Sequence, residues 1–283
     1  MRRAPLVFLV FLAGCGGAAS DGSGPRVVAT TTQLADMARH VAPSAQVTTL
    51  LRANTDPHEY EVRPHDVKAL AHADVVLRSG GETDAWLDSA LDSAGVDDSD
   101  VVDAGRAAGL VDGDPHWWQD PVRAERAVAA IARAIPGANA EPYRARLRAL
   151  DAAVRRCIEA VPAERRRLVT SHDSLGYFAR RYGIELVGTV IDALSTSAQP
   201  SAGQVTRLVE DIRAAGVKTI FAESSVNPKV EQAIAREAGA RVGPTLWADS
   251  LKPGGTYIES IADNTRALVE GFTGRPAECD LGV

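Results

Sequence analysis

A two-lobed α/β protein, each lobe carrying a mainly parallel sheet flanked by helices and the two joined by one long rigid helix, is the fold class this chain predicts. Three observations predict it. Short apolar runs alternate with helical patterns along both halves, the βαβα order that builds doubly wound parallel sheets. Between the halves, residues 141–161 keep one helical period, with Tyr143, Leu147, Leu150, Val154 and Ile158 recurring every three to four positions. At 1.5 Å per residue that pattern spans roughly 30 Å, the length of a strut between lobes rather than of a local element. Finally, 283 residues with 45% hydrophobic and 24% charged content suit two ordinary domains, each able to bury a core.

In order, the chain opens with Met1-Arg2-Arg3, an apolar run from Leu6 to Leu12, and then Ala13, Gly14 and Cys15. This is the layout of a secretory signal, too short to be a spanning helix. Residues 1–14 are read as the signal peptide and 15–25, rich in Gly and Ser, as a flexible tether. The first lobe is expected over 26–138. It begins with a strand at 26–30 and a helix at 32–41, for which Thr32 is the candidate N-cap. A strand at 47–51, a helix starting at Pro64, a strand at 74–77, a helix around 86–91 and a strand from 101 follow. Pro121 starts a helix that runs to about residue 135. The linking helix occupies 139–161 and the second lobe 162–283. In that lobe strands are expected at 168–170, 184–190 and 219–221, with helices at 174–182, 203–215, 228–238 and 256–272.

The net charge of −6 and the lack of a basic stretch interleaved with aromatics argue against nucleic acid as a partner. Export places Cys157 and Cys279 in an oxidising compartment, where a disulfide closing the second half is preferred over two separately buried thiols.

The chemistry gathers on histidine. The tripeptide Asp-Pro-His occurs twice, at Asp56-Pro57-His58 and Asp114-Pro115-His116; with 15 Pro and 6 His in the chain, chance supplies roughly 0.02 copies. The proline fixes φ and pushes the preceding Asp towards extended backbone, so each imidazole sits on a stiff turn. His172 follows an expected strand directly and takes the kind of place in the second half that His58, on a loop leaving a strand end, takes in the first. Three strand-end imidazoles divided between two lobes are what a metal site in a cleft needs. Asp192, Glu223 and Asp249, on late loops, are candidates for a fourth ligand. His40, His65 and His72 read as ordinary surface or packing residues.

Asp56-Pro57-His58-Glu59-Tyr60 with Pro64 and Asp66 resembles the first motif of the metal-binding solute receptors of bacterial ABC importers. Asp114-Pro115-His116-Trp117-Trp118-Gln119-Asp120-Pro121 is similar to the second, and the stretch from Thr170-Ser171-His172-Asp173-Ser174 to Ala179 to the third. Asp249-Ser250-Leu251 with Gly255, Thr256, Tyr257 and Asn264 resembles the fourth. The match runs in order from about Val27 to Phe272. Leu12-Ala13-Gly14-Cys15 also resembles the lipobox of bacterial lipoproteins, whose cysteine receives the lipid.

The resemblance implies a monomeric receptor without catalytic residues, anchored outside the cytoplasm through Cys15 and passing its ion to a membrane permease. It implies His58, His116, His172 and Asp249 as ligands, with Glu223 beside them. Three imidazoles and a carboxylate suit tetrahedral Zn2+, whereas manganese prefers more oxygen. Family members favouring manganese often carry Glu where His172 stands. Against zinc, the long His-rich loop that many zinc receptors place before the second motif is missing, since residues 104–113 are few and contain no histidine. Zinc is expected, with Mn2+ or iron as the alternative. A secreted zinc hydrolase using Glu223 or Asp173 as base is the rival from another class, but neither the His-Glu-x-x-His nor the Gly-x-Ser-x-Gly signature is present. An adhesin role fits the same tether.

Overall fold

The computed structural model describes residues 24–282, so the signal peptide, Cys15 and most of the tether lie outside the described residues. In the first lobe the strands β1 (Arg26–Ala29), β2 (Gln46–Thr49), β3 (Val75–Arg78) and β4 (Val101–Asp103) are all parallel, in the order β2-β1-β3-β4. Helices α1 (Thr32–Val41), α2 (Pro64–Leu70), α3 (Leu87–Ala94), α4 (Ala104–Ala108) and α5 (Pro121–Ala134) connect and flank them. The long helix α6 (Glu141–Glu159) then leads into β5 (Arg167–Thr170), α7 (Gly176–Tyr182), β6 (Glu185–Thr189), α8 (Ala202–Ala215), β7 (Thr219–Ile220), α9 (Lys229–Ala238), β8 (Arg241–Val242) and α10 (Tyr257–Thr273).

β5 pairs with β6 and β7 with β8, again in parallel. Phe221 N donates to Val169 O at 2.9 Å and a parallel bridge joins Thr170 to Phe221, so the two pairs continue into one another. The second sheet therefore reads β6-β5-β7-β8, the same order as the first. In both, the chain leaves the central pair in opposite directions, and the carboxyl ends of that pair form the switch point at which open α/β sheets bind ligands.

Alternation along the strands divides the core. Val27 and Ala29 of β1 enter one apolar cluster while Val28 enters another, and Leu168 and Val169 of β5 part in the same way. The largest cluster is continuous from the first sheet through α1, α5, α6 and α10 to one face of the second sheet. The five apolar positions of α6 named from the sequence are all buried in it, against α5 and α10. The expected strut is thus a packed core helix, which holds the lobes in one body. Each fully buried Leu or Ile on that stripe contributes about 1.5–3 kcal/mol, and Leu147→Ala would cost about 2–5 kcal/mol. Among the described residues no helix is long and apolar enough to cross a membrane.

Two local expectations need correction, and one helix had not been expected. The N-cap of α1 is Thr31, whose hydroxyl accepts from Leu34 N at 3.4 Å. The hydroxyl of Thr32 instead accepts from Leu251 N at 2.9 Å and ties α1 to the second lobe. The helix expected from residue 174 begins at Gly176, because the Ser174 hydroxyl is engaged by Glu223 and does not cap it. The helix α4 was not expected: its five residues are Ala- and Gly-rich and show no apolar period, and Gly109 at φ 78° ends it in the left-handed region.

Cys157 of α6 and Cys279 are joined by a disulfide with a Cα separation of 5.5 Å across 122 positions of sequence. Closing a loop of that size removes about 5 kcal/mol of chain entropy from the unfolded state.

Candidate metal centre

The two Asp-Pro-His turns have the same construction. In each, the aspartate carboxylate accepts from the backbone N–H of the histidine two positions on, at 2.9 Å for Asp56 to His58 and 3.0 Å for Asp114 to His116. Asp56 itself is extended, at φ −76° and ψ 119°, as a residue before proline must be. The repeat seen in the sequence is therefore a repeated Asx turn presenting an imidazole.

The second lobe supplies His172 after β5 and Asp249 in the loop beyond β8. One donor atom from each of His58, His116, His172 and Asp249 lies within 4.8 Å of the others. His116 Nε2 and His172 Nε2 are 3.3 Å apart. Asp249 Oδ1 stands 3.5 Å from His116 Nε2, and Oδ2 3.6 Å from His172 Nε2. Ligands held about 2.0–2.1 Å from a tetrahedral zinc lie roughly 3.3–3.4 Å from one another, so these edges fit such an ion. His116 and His172 are fully buried, and Asp249 nearly so. His58 Nε2 and both oxygens of Asp249 are buried without a hydrogen-bond partner, the state expected of atoms reserved for a cation.

Carboxylates behind the rings set which nitrogen faces the site. His116 Nδ1 donates to Asp114 Oδ1 at 2.9 Å, since an ionised carboxylate can only accept; this leaves the Nε2 lone pair free. His172 Nδ1 meets Glu223 Oε2 at 2.6 Å as an ion pair. The other Glu223 oxygen accepts from His172 N at 3.2 Å and Ser174 Oγ at 3.1 Å, which fixes the loop as well as the ring. Burial pushes His58 below the ordinary histidine range, and the neighbouring rings of His116 and His172 push the same way. Burial acts likewise on His172, but the Glu223 and Asp249 carboxylates outweigh it and raise that ring to about 10.

Of the three carboxylates left open by the sequence, Asp249 joins the donor set and Glu223 stands behind His172. Asp192 is exposed and lines a different cavity with Thr189 and Arg207. His40 stacks on Tyr143 at 4.5 Å and bonds to Asp36 O at 2.9 Å, a packing role, while His65 is exposed beside Asp66. Hydrogen bonds that the sequence did not foretell, several of them from residues of the four motifs, close the cleft. Trp118 Nε1 and Gln119 Nε2, in the first lobe, both donate to Ala248 O, at 2.7 and 2.9 Å. Tyr257 OH donates to Trp118 O at 2.6 Å, Asn54 N to Ser250 Oγ at 2.8 Å, and Thr196 Oγ1 to Asp56 Oδ2 at 2.6 Å. The aspartate shared by both Asp-Pro-His copies was a legible sign of the turns; the contacts to Ala248 left none.

A family model described as zinc-uptake complex component A, periplasmic, matches residues 27–271. The zinc-binding protein TroA of Treponema pallidum is 31% identical over 283 residues, covering 90% of this chain and 91% of TroA. The manganese-binding lipoprotein MntA of Halalkalibacterium halodurans is 27% identical over 293 residues, covering 95% of this chain and 96% of MntA. The solved structure of the periplasmic zinc-binding protein TroA from Treponema pallidum superposes with a TM-score of 0.80 at 27% identity, over 88% of this chain and 99% of that one. With its two lobes, its parallel sheets and a family match spanning both, the chain belongs to the zinc-uptake complex component A family of metal-binding substrate-binding proteins.

Proposed function

We propose that the protein captures zinc between its lobes through His58, His116, His172 and Asp249 and delivers it to the permease of an ABC importer. The observation that carries this reading is the donor set itself: four donor atoms from two lobes within 4.8 Å, with buried and unpartnered atoms on His58 and Asp249. Three imidazoles and one carboxylate favour zinc, and so does the order of divalent affinities. The lobes are residues 26–138 and 162–283 on the helix of 139–161, and Glu223 and Asp114 orient the ligand rings. The cycle contains no chemistry on a substrate: the ion is the cargo, and release requires the permease to distort a site that both lobes complete. Cys15 carries the lipid that keeps the monomeric receptor at the membrane surface outside the cytoplasm.

Manganese is the second reading. Both Asp249 oxygens are unpartnered, which permits a bidentate carboxylate and the higher coordination number manganese prefers, and the relative MntA is named for that ion. Competitive titration of the metal-free protein decides between them. Zinc displacing manganese at equal concentration is the expected result; tighter manganese binding would reverse the assignment.

A further inference from the structure

A cavity of about 320 Å³ opens beside the turn that carries His58. Asp56 and Glu59 of the first lobe and Thr196, Ser225 and Glu231 of the second line it, and no Lys or Arg does. Glu231 is only 1% exposed. Its Oε1 accepts from Ser171 Oγ at 2.5 Å, whereas its Oε2 is buried without a hydrogen-bond partner, as is Ser225 Oγ. Glu231 sits in the first turn of α9, and no backbone N–H or side-chain donor of that turn reaches its Oε2. A buried carboxylate oxygen in this state costs free energy unless a cation or its water supplies the missing contact.

We propose that this cavity is a second cation site, which takes an incoming divalent ion with its water shell before the imidazoles strip the water away. The inference rests on the receptor reading and adds an entry step to it. Six waters at about 30 Å³ each need roughly 180 Å³, which the cavity accommodates. Among the described residues its three acids do not gather as tightly as the histidine cluster, so they hold the ion through its waters rather than directly. Oxygen acceptors alone suit hydrated divalent ions and bind them weakly, as a transit site must. Residues that line the cavity lead towards two of the imidazoles. Asp56 and Glu59 flank His58, and Ser171, the donor to Glu231, precedes His172 and accepts from Glu223 N at 3.2 Å. An acidic pocket in that position raises the local ion concentration and speeds capture.

The test uses full-length protein whose imidazole site is filled with zinc, with Mn2+ as the probe followed by electron paramagnetic resonance. One further Mn2+ binds weakly to the unaltered protein. Glu231→Gln, which retains an acceptor for Ser171, weakens that binding about tenfold or more and slows zinc association in stopped-flow fluorescence, with equilibrium zinc affinity unchanged. Glu59→Gln, at an exposed position, acts in the same direction and guards against a folding defect. Unchanged Mn2+ binding and unchanged zinc association in both variants would overturn the second site alone. Failure of the unaltered metal-free protein to take up zinc would overturn the receptor reading, and this inference with it.

Discussion

The indole N–H of Trp118, in the first lobe, donates to the carbonyl of Ala248, in the second, at 2.7 Å. Asp249 is the next residue, so the bond places a proposed ligand of one lobe by a side chain that adjoins the His116 turn of the other. Trp118 also lies edge-on to His116, with ring centres 5.3 Å apart. The geometry of the donor cluster is therefore set by contacts across the cleft as well as by each lobe alone.

Replacing Trp118 by Phe keeps most of the buried ring and removes the donor. A net hydrogen bond contributes about 0.5–1.5 kcal/mol, so zinc affinity should fall about two- to tenfold while the fold persists. Competitive chelator titration together with circular dichroism checks both parts.

Asp114→Asn removes the charge behind His116 and frees Nδ1 from its single role as donor. The expected loss in zinc affinity is about 10- to 100-fold, the scale seen when a partner behind a ligating histidine is removed. An affinity within twofold of the unaltered protein would show that the Asp114 contact to Nδ1 does not tune the ligand.

Binding should be linked to pH through His172. With that ring raised to about 10 by Glu223 and Asp249, the metal-free site at about pH 8 holds a proton which zinc must displace. His58, held neutral by burial, contributes none at that pH. Zinc binding should release about one proton there, and apparent affinity should rise with pH until about 10. The same shift fixes the stability of the metal-free protein. Because the folded value lies above the ordinary 6.5, the stabilisation is fully present below 6.5 and is lost as pH rises through about 10. Calorimetry in buffers of different ionisation enthalpy counts the protons, and a count of zero would contradict the link.

Much of this was legible because the signals are local. The two Asp-Pro-His turns are closed by contacts two residues apart, and the apolar stripe of α6 repeats at helical period, so both could be read off the chain. The α1 cap was displaced by one residue because Thr31 and Thr32 are chemically alike and only the distant Leu251 N–H distinguishes them. Choosing among Asp192, Glu223 and Asp249 depended on how loops more than fifty residues apart converge, which composition and period do not encode; the resemblance to a known family supplied that choice. The joining helix was legible from its apolar stripe, but that α5 and α10 are the helices covering the stripe is a fact of tertiary packing.

X-ray absorption spectroscopy of the zinc-loaded protein reads the donor set around the ion. Three imidazole nitrogens and one carboxylate oxygen at about 2.0–2.1 Å are expected, with one imidazole lost in His116→Ala together with a steep fall in affinity. A spectrum and an affinity unchanged by His116→Ala, or a first shell without imidazole, would contradict the proposed ligand set.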